Sequence, residues 1–163
     1  MRKIVILLLA MTCFAQPKTA TTVHIDAVLN QWHKAASESN FTDYFKLMTP
    51  NAVFIGTDAT ENWTKTAFMR YAKPYFDQKK GWHFTALQRN IYLSKDAHTA
   101  WFDELLSTQM KICRGSGVLV KTKYGWQIQH YVLSMTIPNN TSAEITKIKA
   151  AEEDALMLQM QKL

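Results

Sequence analysis

Four ionisable side chains interrupt apolar runs in the second half of this 163-residue chain. Asp103 and Glu104 lie within Ala100-Trp-Phe-Asp-Glu-Leu-Leu106, Arg114 opens Cys113-Arg-Gly-Ser-Gly-Val-Leu-Val120, and His130 sits inside Gly125-Trp-Gln-Ile-Gln-His-Tyr-Val-Leu-Ser-Met-Thr-Ile-Pro138. A charge within an apolar strand is costly unless it is solvated, paired or lining a cavity. The pattern therefore points to a polar-floored pocket. A carboxyl group and an imidazole there could exchange protons, and a guanidinium could hold an acid or stabilise developing negative charge.

Strand alternation narrows the set. Ala100, Phe102, Glu104 and Leu106 share one face, and Trp101, Asp103, Leu105 and Ser107 the other, so Asp103 and Glu104 cannot both face the pocket. Glu104 is the inward candidate, with a pKa that burial should raise for acid-base work. A structural ion pair with Arg114 or another base is the favoured alternative. His130 is placed on the face of Trp126, Ile128, Val132 and Ser134, with Tyr131 opposite; a core histidine bonded to a neighbour competes with a proton shuttle there. Trp63, Trp82, Phe102 and Trp126, together with Arg114, are the candidate ligand-binding residues. Asp58 and Glu61 fall in a loop, where a capping role for Glu61 is favoured. Gly115 and Gly117 follow no strand-to-helix turn, so close backbone approach or a bulge explains them better than a phosphate loop. No histidine or cysteine spacing suggests a metal, no Gly-x-Ser-x-Gly occurs, and no cofactor motif is apparent.

The elements that position these groups read as follows. Ile25, Val28, Leu29, Trp32 and Ala36 recur at helical spacing behind a cap at Thr21 or Thr22. Phe41, Tyr44, Phe45 and Met48 make a short second helix that Pro50 closes. Asn51 to Ile55 is a short strand, and a polar loop leads to a third helix from about Thr64, which Pro74 should end or kink and Gly81 terminates. Four strands follow, over Trp82 to Leu93, Thr99 to Gln109, Cys113 to Thr122 and Trp126 to Ile137, as an antiparallel meander. Thr141-Ser-Ala-Glu144 is a capping-box pattern opening a C-terminal helix, which either packs on the domain or pairs with another subunit. The fold class is α+β, with helices on one face of a sheet.

Met1-Arg-Lys followed by the apolar run Ile4 to Ala10 reads as a signal peptide spanning residues 1–20, cut near 15–20. Periplasmic or secreted localisation follows. Removal would take Cys13 and leave Cys113 without a disulfide partner, so the fold must stand on its core. With 47% hydrophobic residues the core is easily supplied, and residues 21–139 make one domain with a helical tail over 140–163. The formal charge of +6 is scattered, and the leader's Arg2 and Lys3 account for part of it. No basic stripe suggests nucleic acid, and no segment is apolar enough for a membrane span.

Several of these pieces together resemble the SnoaL-like domain proteins of the NTF2-like superfamily. They are Phe54-Ile-Gly-Thr-Asp-Ala-Thr-Glu-Asn-Trp63, Tyr71-Ala-Lys-Pro-Tyr-Phe-Asp77, Gly81-Trp82, Ala100-Trp-Phe-Asp-Glu104, Arg114-Gly-Ser-Gly-Val-Leu119 and Trp126-Gln-Ile-Gln-His-Tyr-Val-Leu-Ser134. The resemblance runs from about Val23 to Asn139. It implies a cone-shaped fold, a cavity between bent sheet and helices, and frequent homodimers, but no particular activity. Val132 stands where some relatives carry a second histidine. The expected function is binding of a small apolar or amphipathic molecule. Alternatives are an acid-base enzyme of isomerase, cyclase or dehydratase type using Glu104 or His130, with Arg114 or Tyr131 stabilising charge, and a dimeric assembly module without turnover.

Overall fold

Apolar periodicity and local capping build the helical half of the protein. The computed structural model describes residues 19–162; the expected leader, and Cys13 with it, lies almost wholly outside the described residues. Helix α1 (Ala20–Ser37) buries Ile25, Val28, Leu29, Trp32, His33, Ala35 and Ala36. Its cap is Thr19, earlier than expected, in a reciprocal capping box with Thr22. Helix α2 (Phe41–Lys46) is capped by Asn40 and buries Tyr44 and Phe45. Helix α3 (Lys65–Asp77) is capped by the Thr64 hydroxyl and contains Pro74 within its span, so the proline does not end it.

The sheet has six strands: β1 (Met48–Ile55), β2 (Asn62–Thr64), β3 (Thr85–Leu93), β4 (Thr99–Thr108), β5 (Lys111–Thr122) and β6 (Gly125–Met135). Their spatial order is β2-β1-β6-β5-β4-β3, antiparallel except for β1 against β6. The four-stranded meander is present, although β3 begins at Thr85 rather than Trp82. Pro50 lies inside β1, exposed, where the pairing with β6 is irregular between Met48 and Val53, and so does not close α2.

Two bulges decide which side chains reach the core. In β6, Leu119 is opposite Ile128 and Val118 is opposite His130, leaving Gln129 as the extra residue. Gln129 is tied to β1, accepting from Thr49 Oγ1 at 2.8 Å and donating to the Asn51 carbonyl at 3.1 Å. Trp126 and Ile128 therefore face inward before the bulge, and Tyr131 and Leu133 after it. In β3 the extra residue is Leu87, exposed, which brings Arg89 directly opposite Glu104. The inner face meets the helices through an aromatic core. Trp32 stacks on Tyr44 at 4.9 Å and meets Tyr131 edge-on at 4.8 Å, while Phe54 and Phe68 stack at 4.0 Å.

A 3-10 turn (Asn139–Thr141) leads into α4 (Ser142–Met160). Thr141 makes no side-chain cap bond, and no residue of α4 is buried. Of the two roles expected for this helix, packing on the domain is not what the structure shows. Among the described residues, no helix is long and apolar enough to cross a membrane.

Candidate functional site: a buried carboxylate behind an open cleft

Glu104 is inward, as alternation requires, on the face of Ala100, Phe102 and Leu106, and its residue is only 1% exposed. Each carboxylate oxygen has partners. Oε1 accepts from His33 Nε2 at 2.9 Å and from the Tyr131 hydroxyl at 3.1 Å. Oε2 accepts from Arg89 Nε at 2.8 Å, and Arg89 Nη2 lies 2.7 Å from the same oxygen. Arg89 Nη1 in turn donates to Asp26 Oδ1 at 2.7 Å and Asn30 Oδ1 at 2.8 Å on α1. Helix and sheet are thus joined by one polar cluster.

This cluster corrects two expectations. Burial pushes the Glu104 pKa upward, as expected, but the His33 hydrogen bond and charge and the Arg89 charge outweigh it, holding the carboxyl below its ordinary value. Glu104 is therefore an ionised acceptor, and His33 Nε2 must carry the hydrogen between them. The Tyr131 hydroxyl is pushed well above its usual range, by burial first and then by Glu104, and remains a neutral donor. The second correction concerns the partner: Arg89 and His33 occupy the place expected of Arg114.

The other candidates are dispersed. Arg114 pairs across the strands with Leu105 and Ser134 and is exposed on the outer face. His130 lies on that outer face between Val118 and Val53, because the bulge at Gln129 exchanges its direction with that of Tyr131. Asp103 also faces outward and accepts from Asn90 Nδ2 at 3.0 Å. Phe102 and Trp126 are buried core residues. Trp63 stacks on Tyr71 at 4.6 Å, and Trp82 stacks on Phe68 at 5.7 Å. Glu61 turns back into its own loop to accept from the Asp58 amide at 3.2 Å, rather than capping α3.

Gly115 is what lets the cluster close. A Cβ there would overlap the Tyr131 hydroxyl and come within 2.9 Å of Glu104 Cγ. The close approach anticipated for this glycine has a specific purpose: the β5 backbone must leave room for the Tyr131–Glu104 bond.

Two clefts adjoin outside this core and share His83. One, of about 370 Å³, is bounded by Tyr71 and Tyr75 of α3, Lys80, Gly81, Trp82 and Gln109. The other, of about 320 Å³, is bounded by Asn30, His33, Lys34 and Ser37 of α1 and by Phe84 to Ala86. No carboxylate lines either cleft, whereas Lys34, Lys80, His33 and His83 do. His33 belongs both to the cleft wall and to the Glu104 cluster. Of the aromatic residues singled out from the sequence, Trp82 alone borders a cleft.

His33 and Arg89 are not singled out by residue pattern, though both left a signal. His33 follows Leu29 by one helical repeat on the apolar face of α1, and Arg89 interrupts an otherwise strand-like run. Among the described residues, no group of three or more His, Cys, Asp or Glu side chains could hold a metal ion.

The model of a SnoaL-like domain matches residues 25–138. A search of curated proteins finds no match. Among solved structures, an NTF2-like protein of unknown function from Pseudomonas putida superposes with a TM-score of 0.64 at 14% identity, covering 76% of this chain and 92% of that one. A Nostoc punctiforme domain of unknown function with a cystatin-like fold gives 0.63 at 14% identity, covering 90% and 100%. A Streptomyces avermitilis protein described as a candidate dehydratase of the NTF2-like family gives 0.59 at 12% identity, covering 70% and 94%. At these identities the likeness concerns the fold alone. With the family model spanning most of the described residues, and with three helices preceding the four-stranded meander of a six-stranded, mostly antiparallel sheet, the chain belongs to the SnoaL-like domain family and has the NTF2-like fold.

Proposed function

We propose that this is an exported, single-domain binding protein that takes a small amphipathic molecule bearing negative charge into the double cleft around His83. The observation that carries the reading is the lining: aromatic rings of Tyr71, Tyr75, Trp82 and Phe84 beside Lys34, Lys80 and two histidines, with no carboxylate. Aromatic walls take up apolar surface while a few cations fix and orient an acidic group. The state of Glu104 supports binding over turnover, because an ionised carboxylate with both oxygens engaged has no proton to give and is a weak base. The test uses 8-anilinonaphthalene-1-sulfonate as an amphipathic aromatic anion. Saturable fluorescence enhancement is expected, weakened on the order of tenfold by Lys80→Glu, about the effect of losing one charge-assisted contact. Absence of saturable binding, or indifference to Lys80→Glu and His83→Asp, refutes it.

A second reading rests on His33, which, unlike Asn30, the other residue shared by cleft and cluster, is titratable. Backed by Glu104, its imidazole could move a proton to or from a molecule in the cleft, as in an isomerase or dehydratase. His33→Gln would then abolish turnover of a cleft ligand while binding persists. Retained turnover in that variant would remove the enzyme reading and leave the binding one intact.

A further inference from the structure

Helix α4 is left uncovered. It packs against the 3-10 turn that precedes it, yet Ile148 is 72% and Leu158 61% exposed. A helix this long without tertiary contact is marginal in water, and most helices in proteins draw stability from a covered apolar face. Something is expected to cover this one, and the helix carries a pattern that says what.

Ile148, Ala151, Ala155 and Leu158 follow one another at intervals of three, four and three residues, and all four are exposed. That is the spacing of a two-helix seam, with Ile148 and Ala155 at one core position and Ala151 and Leu158 at the other. We propose that α4 pairs with α4 of a second copy of this chain as a parallel, in-register two-helix coil along this seam. Charge selects both partner and direction. In the parallel pair, Lys147 flanks the seam opposite Glu152 of the other copy, and symmetry makes this contact twice. An antiparallel pair that covers the whole seam sets Ile148 against Leu158, but brings Glu152 beside Glu152 and Asp154 beside Asp154. Lys149 and Glu153, held together within one helix at 2.6 Å, lie away from the seam in either case. The alanines let the two backbones approach closely. So short a seam gives a weak, concentration-dependent dimer.

The test uses the full chain carrying Cys13→Ser, since Cys113 is buried and does not compete. Leu158→Cys is expected to give a disulfide-linked dimer on mild oxidation, because a parallel pair places residue 158 against its own copy. Sedimentation equilibrium should show Lys147→Glu weakening self-association on the order of tenfold, and the Lys147→Glu/Glu152→Lys double variant restoring it. Three results overturn the proposal: a monomer at all concentrations, an indifferent Lys147→Glu variant, or linkage only when Ile148→Cys and Leu158→Cys chains are mixed. The double cleft lies on other elements, so its ligand binding is unaffected by any of these outcomes.

Discussion

Replacing Glu104 by Gln keeps the shape of the side chain and removes its charge. The structure says what is lost: charge on the acceptor of three donors, in a place where the Glu104 side chain is 0% and the Arg89 side chain 4% exposed. Removing one partner of such a buried pair costs about 3–5 kcal/mol, because the remaining charge stays buried without compensation. Asp26, 2.7 Å from Arg89 Nη1, still supplies an anion, so the lower end of that range applies, about 3 kcal/mol. For a domain of this size such a loss lowers Tm by roughly 6–12 °C. Urea unfolding followed by circular dichroism measures it at neutral pH.

The pH dependence provides the sharper check. The folded carboxyl titrates below its ordinary value, so its contribution is present above the unfolded carboxylate pKa of about 4.3 and disappears as pH falls through the lower folded value. Wild-type protein should lose this increment on acidification, and Glu104→Gln should lack it. The apolar double variant Arg89→Met/Glu104→Leu should recover part of the stability, because the buried carboxylate–guanidinium pair is removed together, while the His33 and Tyr131 donors lose their acceptor and the partly exposed Asp26 its cation. A Glu104→Gln penalty below about 1 kcal/mol with an unaltered acid limb would refute the claim that this cluster holds helix to sheet.

Gly115→Ala should destabilise by about 1–3 kcal/mol by pushing Tyr131 off Glu104, measurable by the same unfolding curves and reduced in a Tyr131→Phe background, where the 2.9 Å approach to Glu104 Cγ remains. Deletion of Gln129 removes the extra residue of β6 and joins Ile128 to His130 in regular alternation, so Tyr131 and Leu133 should keep facing inward; a cooperative thermal transition is expected to persist, lowered by loss of the Gln129 bonds to Thr49 and Asn51, and loss of that transition would contradict the assigned register. If the leader is cleaved, the mature N-terminus should lie before Thr19, since cutting at Ala20 removes the capping box and costs about 1 kcal/mol; intact-mass spectrometry of the exported protein decides it.

The residue pattern made the architecture and the inward direction of Glu104 legible, because β4 alternates without interruption from Ala100 to Leu106. It misplaced His130 and Tyr131 because one bulge reverses the alternation on which their assignment rests, and nothing in Gln-Ile-Gln-His marks which residue is extra. The bulge is fixed by bonds from Gln129 to Thr49 and to the Asn51 carbonyl, a tertiary partner far away in the chain. Arg89 was hidden in the same way by Leu87. Arg114 is closer to Glu104 along the chain than Arg89 is, and only the extra residue in β3 sets Arg89 opposite the carboxylate. Helix α4 was legible as a helix, whereas its lack of packing is a property of the whole molecule.

Asp26, Asn30 and His33 form a single polar stripe along α1, and every one of them bonds Arg89 or Glu104. An apolar helix face against a sheet tolerates rolling and sliding, since many nearby poses bury similar area. Three directional bonds spaced along two turns tolerate one pose. The consequence is conformational uniqueness rather than strength: the Arg89→Met/Glu104→Leu protein is expected to stay folded with α1 seated in several interconverting positions, visible as broadened amide resonances confined to α1 and β3.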